Sequence, residues 1–213
     1  MEILNTLNVP FYKFIADKSL TDKILHKVSN LSFLKSDRLP EQGFTFEDFY
    51  DDELFAFFDQ SIKEVQSLYY HEHLTFEIVD CWVNKYSKLN KLHRHIHTNS
   101  IISGIFYCTT HTTEGTTIFE MENPWFYKNN VNTNLSIYKN YKPLSSEITA
   151  EAGTLILFPN SIPHTMKTLV NTTTSRYSIA FNTYPTGPIS LNKTSKLEIN
   201  VISVRDRVKG HQK

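Results

Sequence analysis

Residues 153–182 read GTLILFPNSIPHTMKTLVNTTTSRYSIAFN. Thr154 to Phe158 is a short run of β-branched, aliphatic and aromatic residues, which predicts a core strand. Asn160-Ser161-Ile162-Pro163 predicts a loop leaving that strand, and His164 to Thr168 predicts the next one. In the last strand, Ser175 to Asn182, side chains alternate between faces. Arg176, Ser178, Ala180 and Asn182 share one face; Tyr177, Ile179 and Phe181 share the other. The second set is apolar and aromatic and suits a core. The first aims a guanidinium and a hydroxyl at a cavity. An inward arginine is costly unless it meets an anion, and its planar fork grips a carboxylate with two hydrogen bonds. The anion is either a buried acid, such as Asp80 or Glu120, or a bound ligand.

The same β pattern extends upstream to Leu74. Phe76, Ile78, Asp80, Trp82, Asn84 and Tyr86 alternate along one predicted strand face. Ile101 to Thr109, Thr116 to Met121 and Leu135 to Tyr138 follow, with turns at Glu151-Ala152-Gly153 and Asn171-Thr172-Thr173. Many short strands at close spacing predict an all-β sandwich or barrel. The first third reads instead as helical. Ser19 as N-cap, with Asp22 behind it, starts one helix carrying Leu20, Ile24, Leu25 and Val28. A second, from about Asp51 to Tyr70, places Leu54, Phe58, Ile62, Val65 and Tyr69 on one stripe. After Pro188 the tail predicts one strand (Ile199, Val201, Ser203) and a frayed basic end.

Between the helices and the last strands lies KLHRHIHTNS, residues 91–100. Positions two apart in a strand point the same way, so His93, His95 and His97 would project together. A lone HxH is short and common, and on an exposed strand it carries no chemistry. Two imidazoles from one strand with His164 from another, however, make a facial set of three metal ligands that leaves the opposite side open.

Composition narrows the classes. The chain has 213 residues, 40% of them apolar, enough for one substantial core. Lysine plus arginine balance aspartate plus glutamate at 22 each, so neither nucleic acid nor membrane is expected as a partner. No run is apolar enough to span a bilayer, and the N-terminus lacks the pattern of a signal peptide. Cys81 and Cys108 have no CxxC spacing, which predicts neither a disulfide framework nor a thiolate metal site and suits a reducing cytoplasm. Homo-oligomerisation is left open.

Three segments together, WVNKYSKLNKLHRHIHTNSIISGIFY, GTLILFPNSIPHTM and SRYSIAFN, resemble the 2-oxoglutarate- and Fe(II)-dependent oxygenases. They look most like a branch of oxygenases from marine bacteria and their phages, which implies action in the cytoplasm, a host's included. The resemblance covers Trp82 to Asn182. It implies a mainly β fold with flanking helices, a double-stranded β-helix of jelly-roll or cupin-like type, in a single domain over residues 1–213. Residues 1–72 would be the mainly helical part, 73–190 the β-helix core and 191–213 a C-terminal extension. It implies Fe(II) on His95, His97 and His164, with 2-oxoglutarate as cosubstrate. The far carboxylate of that cosubstrate would sit on Arg176 and Ser178, with Tyr107 assisting. The implied reaction converts 2-oxoglutarate to succinate and CO2 while oxidising a small-molecule or protein side-chain substrate, usually by hydroxylation.

The family usually has HxD or HxE, and this chain has His97 where the acid would stand. A neutral imidazole cancels no charge, so the metal face is more electropositive. His93 and His95 also lie two apart; the distance to Ser103, Gly104 and Tyr107 favours His95 and His97, with His93 behind them. Two other classes fit the residues less fully: a cupin-like three-histidine dioxygenase independent of 2-oxoglutarate, and a β-barrel binding module without catalysis. Trp82 reads as core. The segment Glu122 to Tyr141, with Trp125, Phe126 and Tyr127, reads either as a substrate lid or as a plain surface insertion.

Overall fold

In the computed structural model, the described residues are 1–6, 9–33, 41–44, 50–90, 92–111, 113–121, 144–149, 151–171, 174–188 and 198–210. The expected lid, including Trp125, Phe126 and Tyr127, the strand Leu135 to Tyr138 and residues 172–173 of the expected turn lie outside them.

The described residues form two antiparallel sheets. Elements along the chain are β1 (Glu2–Thr6), β2 (Val9–Ile15), α1 (Lys18–Ser29), β3 (Glu41–Phe44), α2 (Asp52–Tyr69) and β4 (Thr75–Tyr86). Then come β5 (Leu92–His95), β6 (Ile102–Tyr107), β7 (Thr117–Met121), β8 (Leu144–Ile148), β9 (Thr154–Pro159), β10 (His164–Met166), β11 (Arg176–Pro188), β12 (Glu198–Ile199) and α3 (Val204–Gly210). The larger sheet runs β1-β2-β9-β6-β11-β4-β3, with β12 on β11; the smaller runs β5-β10-β7-β8. This is the expected jelly roll.

The larger sheet is buried on both sides, and its strands sort their residues accordingly. In β9, Leu155 and Leu157 face the helices while Ile156 and Phe158 face the smaller sheet. On the helix side, Leu20, Ile24 and Val28 of α1 and Leu54, Phe58, Ile62 and Val65 of α2 join Phe106, Ile179 and Phe181 in one core. Phe181 stacks on Phe58 at 4.6 Å between centroids. Gly104 makes that possible: a Cβ there would lie 2.1 Å from the Phe181 ring. The second core, between the sheets, gathers Phe11, Ile105, Tyr107, Phe119 and Phe158.

Four expectations need correction. Helix α1 is capped by Asp17, not Ser19: the Asp17 carboxylate accepts from the Leu20 N–H at 2.8 Å, and the helix starts at Lys18. The N-terminal part is not helices alone, since β1, β2 and β3 extend the larger sheet; Val9–Ile15 is rich in β-forming residues and pairs with β9. The C-terminal end is not frayed throughout. Val204 and Val208, one helical turn apart, bury α3 against the helix-side core, and among the described residues after Pro188 only Glu198–Ile199 pairs as a strand. Within α2 the stripe holds, except that Tyr69 is largely exposed.

The fourth correction concerns β4. Asn182 pairs with Asp80, yet Thr183 pairs with Ile78, so Val79 is an extra residue. This bulge reverses the phase of the strand. Phe76 and Ile78 face the helices before it, and Cys81 and Val83 do so after it. Trp82, Asn84 and Tyr86 therefore turn to the other side. The Val79 carbonyl accepts from Arg207 Nη2 of α3 at 2.6 Å. Among the described residues no helix is long and apolar enough to cross a membrane.

Candidate active site

His95 closes β5, His97 follows two residues later and His164 opens β10. The strand ends at His95, so its pleat does not carry His97, contrary to the expectation from sequence that the two share a strand face. His97 is instead pinned by its backbone: its N–H donates to the Asn160 carbonyl at 3.2 Å, and the Asn160 amide donates to the His97 carbonyl at 3.1 Å. His164 sits directly opposite His95 in the ladder, which brings the distant ligand in register. Ring centroids lie 5.5 Å (His95–His97), 4.3 Å (His95–His164) and 5.0 Å (His97–His164) apart. One nitrogen from each lies within 4.8 Å of the others, and among the described residues this is the one such group of three.

Each ring has its Nδ1 against an oxygen. His95 Nδ1 meets the His93 carbonyl at 2.9 Å, His97 Nδ1 meets Asn182 Oδ1 at 2.6 Å and His164 Nδ1 meets the Ile162 carbonyl at 3.2 Å. A carbonyl oxygen accepts and does not donate, so all three Nδ1 atoms carry the proton and all three Nε2 lone pairs are free. This is how a protein prepares imidazoles for a metal. Burial pushes His97 down to about 4 and, with the neighbouring His95 and His97, His164 down to about 3. Both rings are thus neutral donors near neutral pH. Three imidazole nitrogens on one side suit a divalent first-row metal with open positions opposite. His93 is exposed at the rim of the same cavity and holds His95 through its carbonyl, not through its ring.

The cavity extends from the histidines along the inner face of β11, with a volume of about 300 Å³. Arg176, Ser178 and Ala180 line it, as the alternation predicts. Arg176 is only 2% exposed. Its guanidinium carbon lies 4.9 Å from the Tyr86 ring centroid and 5.2 Å from that of Tyr107, held between two aromatic faces. Gly115, at φ +69°, leaves room for its stem: a Cβ there would come 2.9 Å from Arg176 Cδ.

Among the described residues Arg176 meets no carboxylate. Glu120 is taken by Arg94 at 2.5 Å, and Asp80 is exposed. Arg176 makes two long bonds, to Ser178 Oγ and Thr117 Oγ1, both 3.4 Å, and its buried Nε has no partner. A buried charged donor with capacity left over is what an anion site looks like before the anion binds. Among the described residues no acidic side chain lines the cavity.

Two residues gain roles that sequence alone did not assign. Tyr107 does not line the cavity; its hydroxyl donates to Thr117 Oγ1 at 2.7 Å, and Thr117 does line it. The Thr117 oxygen accepts from both Tyr107 and Arg176, which uses both its lone pairs and leaves its own proton for a ligand. Asn182 holds His97. It was legible as sharing the Arg176 face, two positions beyond Ala180. Trp82 belongs to neither core: it is half-buried, lines the cavity and lies 5.4 Å from the His97 ring.

Residues 80–182 match the family described as "Putative 2OG-Fe(II) oxygenase". No curated protein matches the chain. Several solved structures share the fold. HygX from Streptomyces hygroscopicus, with nickel, 2-oxoglutarate and hygromycin B bound, aligns over 93% of this chain and 95% of its own (TM-score 0.60, 10% identity). A Pseudomonas putida prolyl-4-hydroxylase aligns over 84% and 95% (0.54, 13%). A Trichoplax adhaerens prolyl hydroxylase, in complex with a hypoxia-inducible-factor peptide fragment, aligns over 82% and 83% (0.52, 15%).

Proposed function

We propose that this chain, a 2OG-Fe(II) oxygenase, holds its iron on His95, His97 and His164 and the far carboxylate of 2-oxoglutarate on Arg176, Ser178 and Thr117. The observation that carries the assignment is the pairing of two prepared features in one cavity: three imidazoles with Nε2 free, and a buried arginine that meets no acid among the described residues. Iron with 2-oxoglutarate would supply oxidative chemistry in which dioxygen is the oxidant: one oxygen atom goes to succinate as CO2 leaves, and the other oxidises a substrate, usually by hydroxylation.

The rest is done by side chains of this protein. Arg176 neutralises the carboxylate where water is excluded, so the attraction is weakly screened. Ser178 and Thr117 give it hydrogen bonds, and Tyr107 orients Thr117 from behind. A cavity carrying Arg176 and three imidazoles, with no acid among the described residues of its lining, favours a dianion. Leu92, Ile105 and Met166 supply apolar wall. Trp82 and His93 stand at the side left for the substrate, a small molecule or a protein side chain. Cys81 and Cys108 are buried and form no disulfide among the described residues, which suits a reducing cytoplasm. An unpaired Arg176 favours this reading over a three-histidine dioxygenase that needs no second anion.

Anaerobic Fe(II) titration tests the assignment. Adding 2-oxoglutarate is expected to produce the visible metal-to-ligand charge-transfer band, with one iron per chain. His164→Ala should lose both band and metal while melting as a folded protein. Full metal occupancy in that variant would end the three-histidine assignment.

A further inference from the structure

His95 and His164 are held by main-chain carbonyls, from His93 and Ile162. His97 alone depends on a side chain, Asn182 Oδ1, at 2.6 Å. It is also the ligand that stands where a carboxylate is usual. We infer that Asn182 is the positioning residue of the metal face: it selects the tautomer of His97 that can bind a metal and keeps that position uncharged. The inference rests on the metal assignment above.

An amide can accept or donate. With Oδ1 toward the ring, His97 must carry its proton on Nδ1 and offers the Nε2 lone pair. With the amide NH2 toward the ring, the proton would move to Nε2 and the ligand would be lost. An apolar side chain would leave either tautomer free to form, in a ring only 5% exposed.

An aspartate would accept equally well but would add a charge. A carboxylate behind a metal-bound imidazole draws its proton and makes the ring a stronger, more anionic donor. Asn182 provides the geometry of that arrangement without the charge. The chain is therefore neutral at both places where negative charge would usually reach the metal: at the ligand and at its partner. Asn182 is 7% exposed and lies opposite Ser103 and Asp80, at the β11 end of the β4 bulge. Its backbone is thus fixed by strands on both sides, and its amide is aimed by the ladder.

Two variants test this in the full chain. Asn182→Leu keeps the volume and removes the acceptor; Asn182→Asp keeps the acceptor and adds charge. Nitrogen-15 correlation spectra of the metal-free protein report which nitrogen of His97 carries the proton. The parent and Asn182→Asp should show Nδ1–H, and Asn182→Leu a shift toward Nε2–H. Fe(II) affinity should fall on the order of 10–100-fold in Asn182→Leu and be retained in Asn182→Asp. The Fe(III)/Fe(II) potential of Asn182→Asp should fall below the parent's. Asn182→Leu with an unchanged tautomer and parental iron affinity would overturn the positioning role, as would equal losses in both variants. An unshifted potential in Asn182→Asp would overturn the charge argument. The tautomer is read without metal, so a parent that failed to bind iron at the three histidines would give a different record from a failure of the Asn182 assignment.

Discussion

The two faces of β11 share one backbone and do opposite work. Ile179 and Phe181 are buried among apolar side chains and rings of the helix-side core. Arg176, Ser178 and Asn182 are about as buried, yet they are polar: Arg176 and Ser178 line a cavity, and Asn182 holds His97 beside it. Apolar burial stabilises the fold directly. Polar burial costs stability unless each group finds a partner, and on the cavity face Arg176 Nε has none within the described protein. The difference separates what holds the sheet from what the sheet is for. It also implies that substitutions one residue apart should fail in different assays.

The largest effect should come from the helix side. Phe181→Ala removes the ring that fills the space over Gly104 and stacks on Phe58, and should cost about 3–5 kcal/mol of unfolding free energy. Denaturant unfolding measures it; 2-oxoglutarate affinity of the folded fraction should hold. A loss under about 1 kcal/mol would mean that this core is loosely packed.

Arg176→Ala should reverse that pattern. Removing one partner of a buried charge pair costs about 3–5 kcal/mol, so 2-oxoglutarate should bind at least about a hundredfold more weakly. Iron affinity without cosubstrate should change little. The melting temperature of the ligand-free chain should fall less than in Phe181→Ala, because no acid is left unpaired. A ligand-free variant that unfolds, with unchanged 2-oxoglutarate affinity, would instead make Arg176 a structural residue and erase the contrast between the faces.

A smaller effect sharpens the same comparison across the cavity. Thr117→Val keeps the shape but removes the oxygen that Tyr107 and Arg176 both address. One hydrogen bond to a charged group is lost, about 1.5 kcal/mol, or roughly tenfold in 2-oxoglutarate affinity. Isothermal titration of the iron-loaded, oxygen-free protein reads it. Parental affinity would return the carboxylate to Arg176 and Ser178 alone.

Much of this was legible before the structure because the decisive residues are chemically unusual where they stand. Histidines two apart, a third after a β run and an arginine on a strand face are each weak alone, and only together are they hard to explain as packing. The alternation of β11 assigned its two faces correctly, since both sides of the strand are covered and every position is forced to choose. Roles that depend on tertiary partners were not legible. Thr117 is one threonine in a strand until Tyr107 and Arg176 converge on it. Tyr107 was expected to reach the cosubstrate, and its hydroxyl instead donates to Thr117 Oγ1, which lines the cavity. The N-cap of α1 slipped by two residues because Asp17 and Ser19 are both good acceptors, and which one meets the Leu20 N–H is settled by where the β2 strand delivers the chain. The buried face of α3 went unread because its two valines are too short a pattern to stand out from a basic tail.

The bulge at Val79 also sets a rule of parity. Strand β4 contributes Trp82, Asn84 and Tyr86 to the cavity only because one residue too many precedes them. Deleting that residue would not shorten the protein so much as turn the strand inside out: the indole and the tyrosine would exchange places with Cys81 and Val83. The helix-side core and the cavity would be spoiled by the same stroke. Deletions and insertions between Ile78 and Trp82 should therefore be tolerated in twos or not at all, and the Arg207 side chain resting on the Val79 carbonyl is the latch that keeps the count odd.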